Sequence, residues 1–227
     1  MMEIQKERWT KHYLSRPIGY PSEAVVRIFK GRFPDLALDS SRYASMKVCD
    51  VGSGDGRNLV LLHDCGFEVY GTEVSQPIVD HLSKGLRERG IRAQVKVGTN
   101  KQIPFEDGTF DYLLSWHVSC YADEVGDFSK HMAEFSRVLK PGGILVTAIP
   151  KSSNYIYNDV TPLERGYCRV NRTPYQVQDG QILRRFADRA DLMREYEPYF
   201  KDIVYGSLEN DLFGLSWNDH ILVCTRK

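Results

Sequence analysis

At 227 residues, with 42% of positions hydrophobic, the chain is long enough to bury one substantial core, and length alone favours one domain over two. Thirty basic and thirty acidic residues cancel, so no global field gathers nucleic acid or an anionic membrane surface. The stretch from Met1 to Arg8 lacks the apolar core of a signal peptide, and no apolar run approaches the roughly 20 residues a membrane span requires.

The five cysteines, Cys49, Cys65, Cys120, Cys168 and Cys224, are scattered and form no C-x-x-C pair. Cys49 and Cys224 fall in apolar strands, where a thiol behaves as a small hydrophobe. The pattern argues against a zinc site and for a reducing compartment, with the cytoplasm as the default. No metal is expected.

Residues 1–45 precede the regular part of the chain. Glu7 to Tyr13 reads as helical, with Trp9 and Tyr13 four apart on one face. Pro17 and Ile18-Gly19-Tyr20-Pro21 break it. Ser22 is placed to cap a second helix whose buried stripe is Val25, Val26, Ile28 and Phe29. The segment is either a helix pair packed on a sheet edge or a flap over a site, touched by Trp9, Tyr13 or Tyr20.

The stretch Met46–Ser75 organises the rest. Lys47–Val51 is a strand that carries Asp50 and runs into Gly52-Ser53-Gly54-Asp55-Gly56, and a helix follows from about Arg57 to Cys65, stopped by Gly66. A second strand, Glu68–Glu73, ends in an acid. Glycine lets a ligand come close to the backbone, and the helix opening after the turn favours an anionic group. A carboxylate at the second strand tip suits the two hydroxyls of a ribose. Nicotinamide enzymes prefer G-x-G-x-x-G at this place; here the glycines fall as G-x-G-x-G.

A helix from about Gln76 to Glu88 turns Ile78, Leu82 and Leu86 inward, and Gly90 stops it. Ile91–Val97 is a third strand, with Gly98-Thr99-Asn100 as its turn, and Phe110–Trp116 a fourth. The helix from about Glu124 to Leu139 ends at Lys140-Pro141-Gly142-Gly143, before a fifth, apolar strand at Ile144–Ile149. Strict alternation predicts a mostly parallel sheet with helices on both faces, its strand C-termini gathered on one ligand-binding edge. After Pro150 the pattern lapses. Tyr167–Val170 and Gln181–Phe186 read as a small antiparallel pair, about Ala187 to Glu197 as a last helix, and Lys201–Ser207 with His220–Thr225 as closing strands. Arg184, Arg185 and Arg189 are expected on a solvated face.

Three segments resemble the class I S-adenosylmethionine-dependent methyltransferases of the small-molecule type. The glycine turn with Asp50 and Glu73 resembles their first motif. Ile103-Pro104-Phe105 before Phe110-Asp111 resembles their "LPF…FD" segment. Glu134 to Gly143 resembles their "E-x-x-R-V-L-K-P-G-G" signature, which shapes a turn without joining the site. The resemblance covers residues 45–150 well and implies a Rossmann-like sheet with a C-terminal antiparallel strand. It divides the chain into a 1–45 flap, a 46–150 cofactor core, a 151–186 substrate-side insertion and a 187–227 closing helix and hairpin.

The resemblance implies S-adenosylmethionine as cofactor, with Asp50, Gly52, Ser53 and Gly54 at its amino-acid part, Glu73 on the ribose and Val74 on the adenine. Thr99 and Asn100 stand where many members keep an Asp for the adenine amine. Ser115 and Trp116 would line the sulfonium, Asn58 opens the helix beside it, and Trp9 and Tyr13 would cover it. Methyl transfer to a hydroxyl or amine benefits from a general base. His117, directly after the fourth strand, is the candidate; its alternative is a strand cap bonded to a backbone carbonyl. His12, His63, His81, His131 and His220 are weaker choices.

The acceptor pocket is expected from the flap, Lys151–Gly180 and Leu208–Asn218, with tyrosines to stack on a ligand and Arg165, Arg169 or Arg172 for an anionic one. A small-molecule acceptor methylated on O or N is favoured. Protein side-chain methylation, a nicotinamide oxidoreductase and a non-catalytic adenosylmethionine binder are the alternatives.

Overall fold

The computed structural model describes residues 3–227; the first two positions of the expected flap lie outside them. The chain begins with α1 (Glu3–Leu14) and α2 (Glu23–Lys30), then enters β1 (Lys47–Val51), α3 (Arg57–Asp64), β2 (Glu68–Glu73), α4 (Gln76–Glu88) and β3 (Ala93–Val97). β4 (Phe110–Trp116), β5 (Tyr121–Ala122), α5 (Asp127–Val138) and β6 (Leu139–Pro150) follow. The C-terminal part holds β7 (Val160–Pro162), β8 (Tyr167–Val170), β9 (Ile182–Arg184) and α6 (Arg189–Tyr196). It closes with β10 (Phe200–Leu208), β11 (Asp211–Leu212), β12 (Leu215–Ser216) and β13 (Asp219–Arg226).

The central sheet has seven strands in the order β10-β13-β6-β4-β1-β2-β3. Its pairs from β6 to β3 are parallel, whereas β13 runs antiparallel to both β6 and β10. Alternate strand residues feed opposite faces, as the pleat requires. Val48, Leu114 and Val146 pack with Leu59 and Leu62 of α3, Leu82 and Leu86 of α4, and Phe29 of α2. Cys49, Leu113 and Leu145 pack on the other face with Phe128, Met132 and Phe135 of α5 and Leu192 of α6. The sheet is therefore covered on both sides. Among the described residues no helix is long and apolar enough to cross a membrane.

Several boundaries differ from the sequence reading, each for a local reason. β6 begins at Leu139 because that residue already pairs with Phe110; the Pro141-Gly142-Gly143 turn sits as an irregularity before Tyr112 meets Ile144. α5 starts at Asp127, whose carboxylate accepts the backbone N–H groups of Asp123 and Glu124, each at 3.1 Å, and closes a turn ahead of the helix. Ser22 does not cap α2 through its side chain. Its backbone N–H instead donates to Asn58 Oδ1 at 3.3 Å, which ties the start of α2 to the first turn of α3.

The expected β8–β9 pair is present, within a four-stranded sheet of order β5-β9-β8-β7. Arg184 is not on a solvated face: it is 5% exposed, pairs with Asp191 at 2.9 Å and lies 4.3 Å over the Phe186 ring. Only Arg189 of that trio is exposed. The Glu134–Arg137 signature clamps the Ile103–Phe105 segment. Glu134 Oε1 accepts the Ile103 N–H at 2.6 Å, and Arg137 donates to the Ile103 and Phe105 carbonyls, each at 2.9 Å.

Candidate functional site

The chain order reverses between β1 and β4: β2 and β3 extend the sheet one way, β6 the other. Open α/β sheets bind ligands at such a point, beyond the strand C-termini. A cavity of about 380 Å³ lies there, within the usual range for small-molecule sites. Its wall takes residues from the tips of β1, β2, β3 and β4, from α1 and from the insertion.

Gly52 and Gly54 hold the first tip open. Both have positive φ, +66° and +59°, where a Cβ is strained. A Cβ at Gly52 would lie 2.9 Å from both Val118 methyls, so the loop leaving β4 comes against the turn leaving β1. A Cβ at Gly54 would lie 3.0 Å from the Tyr13 ring, which α1 lays over the turn. The Ser53 hydroxyl bonds the Asp50 carbonyl at 2.8 Å, and its N–H bonds the Thr72 carbonyl at 3.0 Å, linking the first two tips.

Glu73 is 4% exposed and faces this turn. Its Oε1 accepts the Gly54 N–H at 2.6 Å and its Oε2 the Val74 N–H at 2.9 Å. Burial raises its carboxyl to about 7, and these two N–H donors partly oppose the rise. At the third tip, Asn100 Nδ2 donates to the Val118 carbonyl at 2.9 Å and the Tyr121 carbonyl at 3.3 Å. Two carbonyls fix that atom as the nitrogen, so the buried Oδ1, which has no partner, is an unused acceptor.

At the far end the fourth tip supplies Trp116 and His117. His117 has φ +59° and is held there by its N–H to the Ala148 carbonyl at 3.1 Å. Its Nε2 lies 2.8 Å from Oδ2 of Asp219, a fully buried carboxylate at the start of β13. The rings of Trp116, His117, Trp217, Tyr155 and Tyr175 follow one another along the wall, neighbouring centroids 5.4–6.0 Å apart.

Most residues singled out in the sequence come together on this one wall: Trp9, Tyr13, Gly52, Ser53, Gly54, Asn58, Glu73, Val74, Thr99, Asn100, Trp116 and His117. Asp50 and Ser115 do not. Ser115 is fully buried on the opposite side of the pleat from Trp116, and Asp50 is buried, its backbone carbonyl bonded by the Ser53 hydroxyl. Burial, and then the charge of Glu73, holds the Asp50 carboxyl well above the ordinary range. Tyr20 is 94% exposed and is absent from the wall. Arg165, Arg169 and Arg172 are absent from the wall; Arg169 instead donates to the Gly180 carbonyl at 3.1 Å.

His12 and His131, rated weak from their helices, both reach the wall. Burial lowers both, His131 to about 4, and His131 Nδ1 lies 3.0 Å from the Ser119 carbonyl. Asp219 was not anticipated. Its only sequence signal is an acid one residue ahead of the expected strand His220–Thr225.

A family model described as a methyltransferase domain matches residues 49–147. The ubiquinone/menaquinone biosynthesis C-methyltransferase of Desulfotalea psychrophila is 32% identical over 190 residues, spanning 75% of this chain and 72% of that protein. The chain belongs to the class I S-adenosylmethionine-dependent methyltransferases. Its family cofactor is S-adenosylmethionine. The 2-methyl-6-phytyl-1,4-hydroquinone methyltransferase of Synechocystis is 35% identical over 102 residues, 44% of this chain and 31% of that one. The chain spans about a third to a half of the length of the first curated relatives it matches. Among solved structures, a Burkholderia thailandensis 1,6-didemethyltoxoflavin-N1-methyltransferase, bound to 1,6-didemethyltoxoflavin and S-adenosylhomocysteine, shares the fold. Its TM-score is 0.65 at 14% identity, covering 99% of this chain and 88% of that one.

The wall fits such a cofactor on its own chemistry. It offers a buried carboxylate between two strand tips, a glycine turn that a Cβ would fill, and an orphaned buried acceptor at Asn100.

Proposed function

We propose that this methyltransferase carries a methyl group from S-adenosylmethionine to an O or N atom of a small-molecule acceptor. One observation supports this above the others: a single cavity joins the Glu73 end to an aromatic end at His117. When bound, the cofactor supplies a methyl group on positively charged sulfur, which needs no further activation. Glu73 would accept from the ribose hydroxyls, Val74 would pack on the adenine, and the Asn100 Oδ1 would accept from its amine beside Thr99. Gly52, Ser53 and Gly54 would lie along the amino-acid part. Trp9 and Tyr13 would cover it and exclude water, while Asn58 holds the hinge of that cover through Ser22. Trp116 would border the reacting centre, where orienting the acceptor is the protein's main contribution. His117 would take the acceptor's proton.

The balanced charge gives no field for nucleic acid, and the five free cysteines suit a reducing cytoplasm. The names of two relatives favour a second reading, in which the methylated atom is a ring carbon of a hydroquinone. Release of S-adenosylhomocysteine across a panel of uncharged phenols, N-heterocycles, hydroquinones and peptides tests the acceptor class. Turnover with a small ring compound is expected, and turnover with peptides alone would contradict the proposal. Loss or retention of the titratable hydroxyl in the product separates O- from C-methylation.

A further inference from the structure

Asp219 is buried and has two donors set against it. Its Oδ2 faces His117 Nε2 at 2.8 Å, and its Oδ1 faces Asn154 Nδ2 at 3.3 Å. The orientation of Asn154 is itself fixed. Its Oδ1 accepts the Ile156 N–H at 3.1 Å, and its Nδ2 also donates to the Asn218 carbonyl at 3.0 Å. The amide can therefore only donate to Asp219. A carboxylate that receives one donor at each oxygen is served best in its ionised, acceptor-only form. The neutral His117 ring then carries its hydrogen on Nε2 and keeps its lone pair on Nδ1.

The surroundings of that ring restrict what it meets. Trp116 and Trp217 flank it, their centroids 5.6 and 5.7 Å away, and Tyr155 stands 5.4 Å beyond Trp217. Every wall residue contributed between positions 154 and 217 is uncharged. The charged wall residues lie elsewhere: Arg16 just after α1, Asp55 and Arg57 where β1 turns into α3, Glu73 at the tip of β2, Lys101 after β3 and Asp123 after β5. Flat rings favour a flat partner in stacked or edge-on contact.

We propose that Asp219 is a positioning residue that fixes the tautomer of His117, so that Nδ1 accepts the proton of an uncharged, planar phenol or N-heterocycle stacked among these rings. The proposal rests on the methyltransferase reading above. The acceptor's O–H or N–H bond breaks toward Nδ1, and the electron pair left behind forms the new bond to the methyl carbon. The positive charge lost from sulfur reappears on the imidazolium, whose proton then passes to solvent. The acceptor gains the methyl group and the sulfur keeps the pair of its broken bond, so atoms and charge balance.

The test is the nitrogen-15 spectrum of His117 in the intact protein with S-adenosylhomocysteine bound, at a pH where the ring is neutral. It needs no knowledge of the acceptor. The wild-type ring should show hydrogen on Nε2. In Asp219→Asn, Asn154 demands the oxygen of the new amide, so its NH₂ turns to His117 and the hydrogen should move to Nδ1. A wild-type ring with hydrogen on Nδ1, or a tautomer unchanged in Asp219→Asn, would overturn the proposal. In turnover of a phenol or N-heterocycle, Asp219→Asn should lower kcat by about a hundredfold or more, with KM within about threefold. An unchanged kcat would equally overturn it, since a merely structural aspartate leaves the base competent. Calorimetry with S-adenosylhomocysteine keeps the two levels apart: a wild-type protein that fails to bind it defeats the methyltransferase reading, whereas binding with the wrong tautomer defeats only this one.

Discussion

Glu73 is a carboxyl whose burial raises it from 4.5 to about 7. In the free protein at pH 6 it is therefore mostly protonated, and at pH 8 mostly ionised. Ribose hydroxyls donate best to the ionised form, so binding must release the proton below pH 7 and affinity must fall there. S-adenosylhomocysteine should bind about tenfold more weakly at pH 6 than at pH 8 by calorimetry, with proton release on binding at pH 6. An affinity flat across that interval would remove Glu73 from the ribose. Gly54, in the turn that Glu73 faces, is constrained as well. Gly54→Ala imposes a Cβ at φ +59° and 3.0 Å from the Tyr13 ring, and should lower stability by about 1–2 kcal/mol in thermal melts and weaken S-adenosylhomocysteine binding. An alanine variant of wild-type melting temperature and affinity would show that the turn tolerates the side chain.

Among the α-helices, α1 contributes least to the core: of its described residues only Gln5 is buried. It is held instead by polar ties on two sides. Thr10 Oγ1 bonds Ser75 Oγ at 2.8 Å at the start of α4, and Arg8 Nη1 and Gln5 Nε2 reach the carbonyls of Asp179 and Gly180 at 2.5 and 3.4 Å. Such a helix bridges the cavity, and its aromatic contribution is Trp9, stacked on Tyr13 with centroids 5.7 Å apart and edge-on to Tyr121 at 5.8 Å. Tyr13→Ala should therefore spare the fold and weaken S-adenosylhomocysteine binding by roughly 1.5–3 kcal/mol, the worth of one buried aromatic side chain. Full affinity in that variant would make α1 a bystander. The long elements were legible because each carries its period: β1, β2, α4 and β4 begin and end as their residues indicate. β5 and β7 were not, since strands of two and three residues show no period and form only by pairing with partners distant in sequence.

For the whole molecule, the strand alternation predicted that four tips would share one edge, and Gly52, Glu73, Asn100 and His117 do share one wall. What the pattern could not supply was the other side of that wall. Asp219 meets His117 across 102 positions of sequence, and an apolar strand read alone gives no reason for the acid at its start to be buried. The same holds for Arg184, which the sequence shows as one of three nearby arginines and the fold buries against Asp191 and Phe186. Asp50 and Ser115 show the converse: family likeness places them at the cofactor by position, whereas the fold buries both side chains behind the residues that line the cavity.

On this reading the switch point between β1 and β4 holds an adenosyl sulfur compound whose ribose is gripped by Glu73. The deciding measurement is calorimetry with S-adenosylhomocysteine and with NAD, on the wild-type protein and on Glu73→Ala. S-adenosylhomocysteine should bind, NAD should not, and the variant should lose roughly 1.5–3 kcal/mol of binding. Tight NAD binding without S-adenosylhomocysteine binding, or wild-type affinity in Glu73→Ala, would contradict that reading.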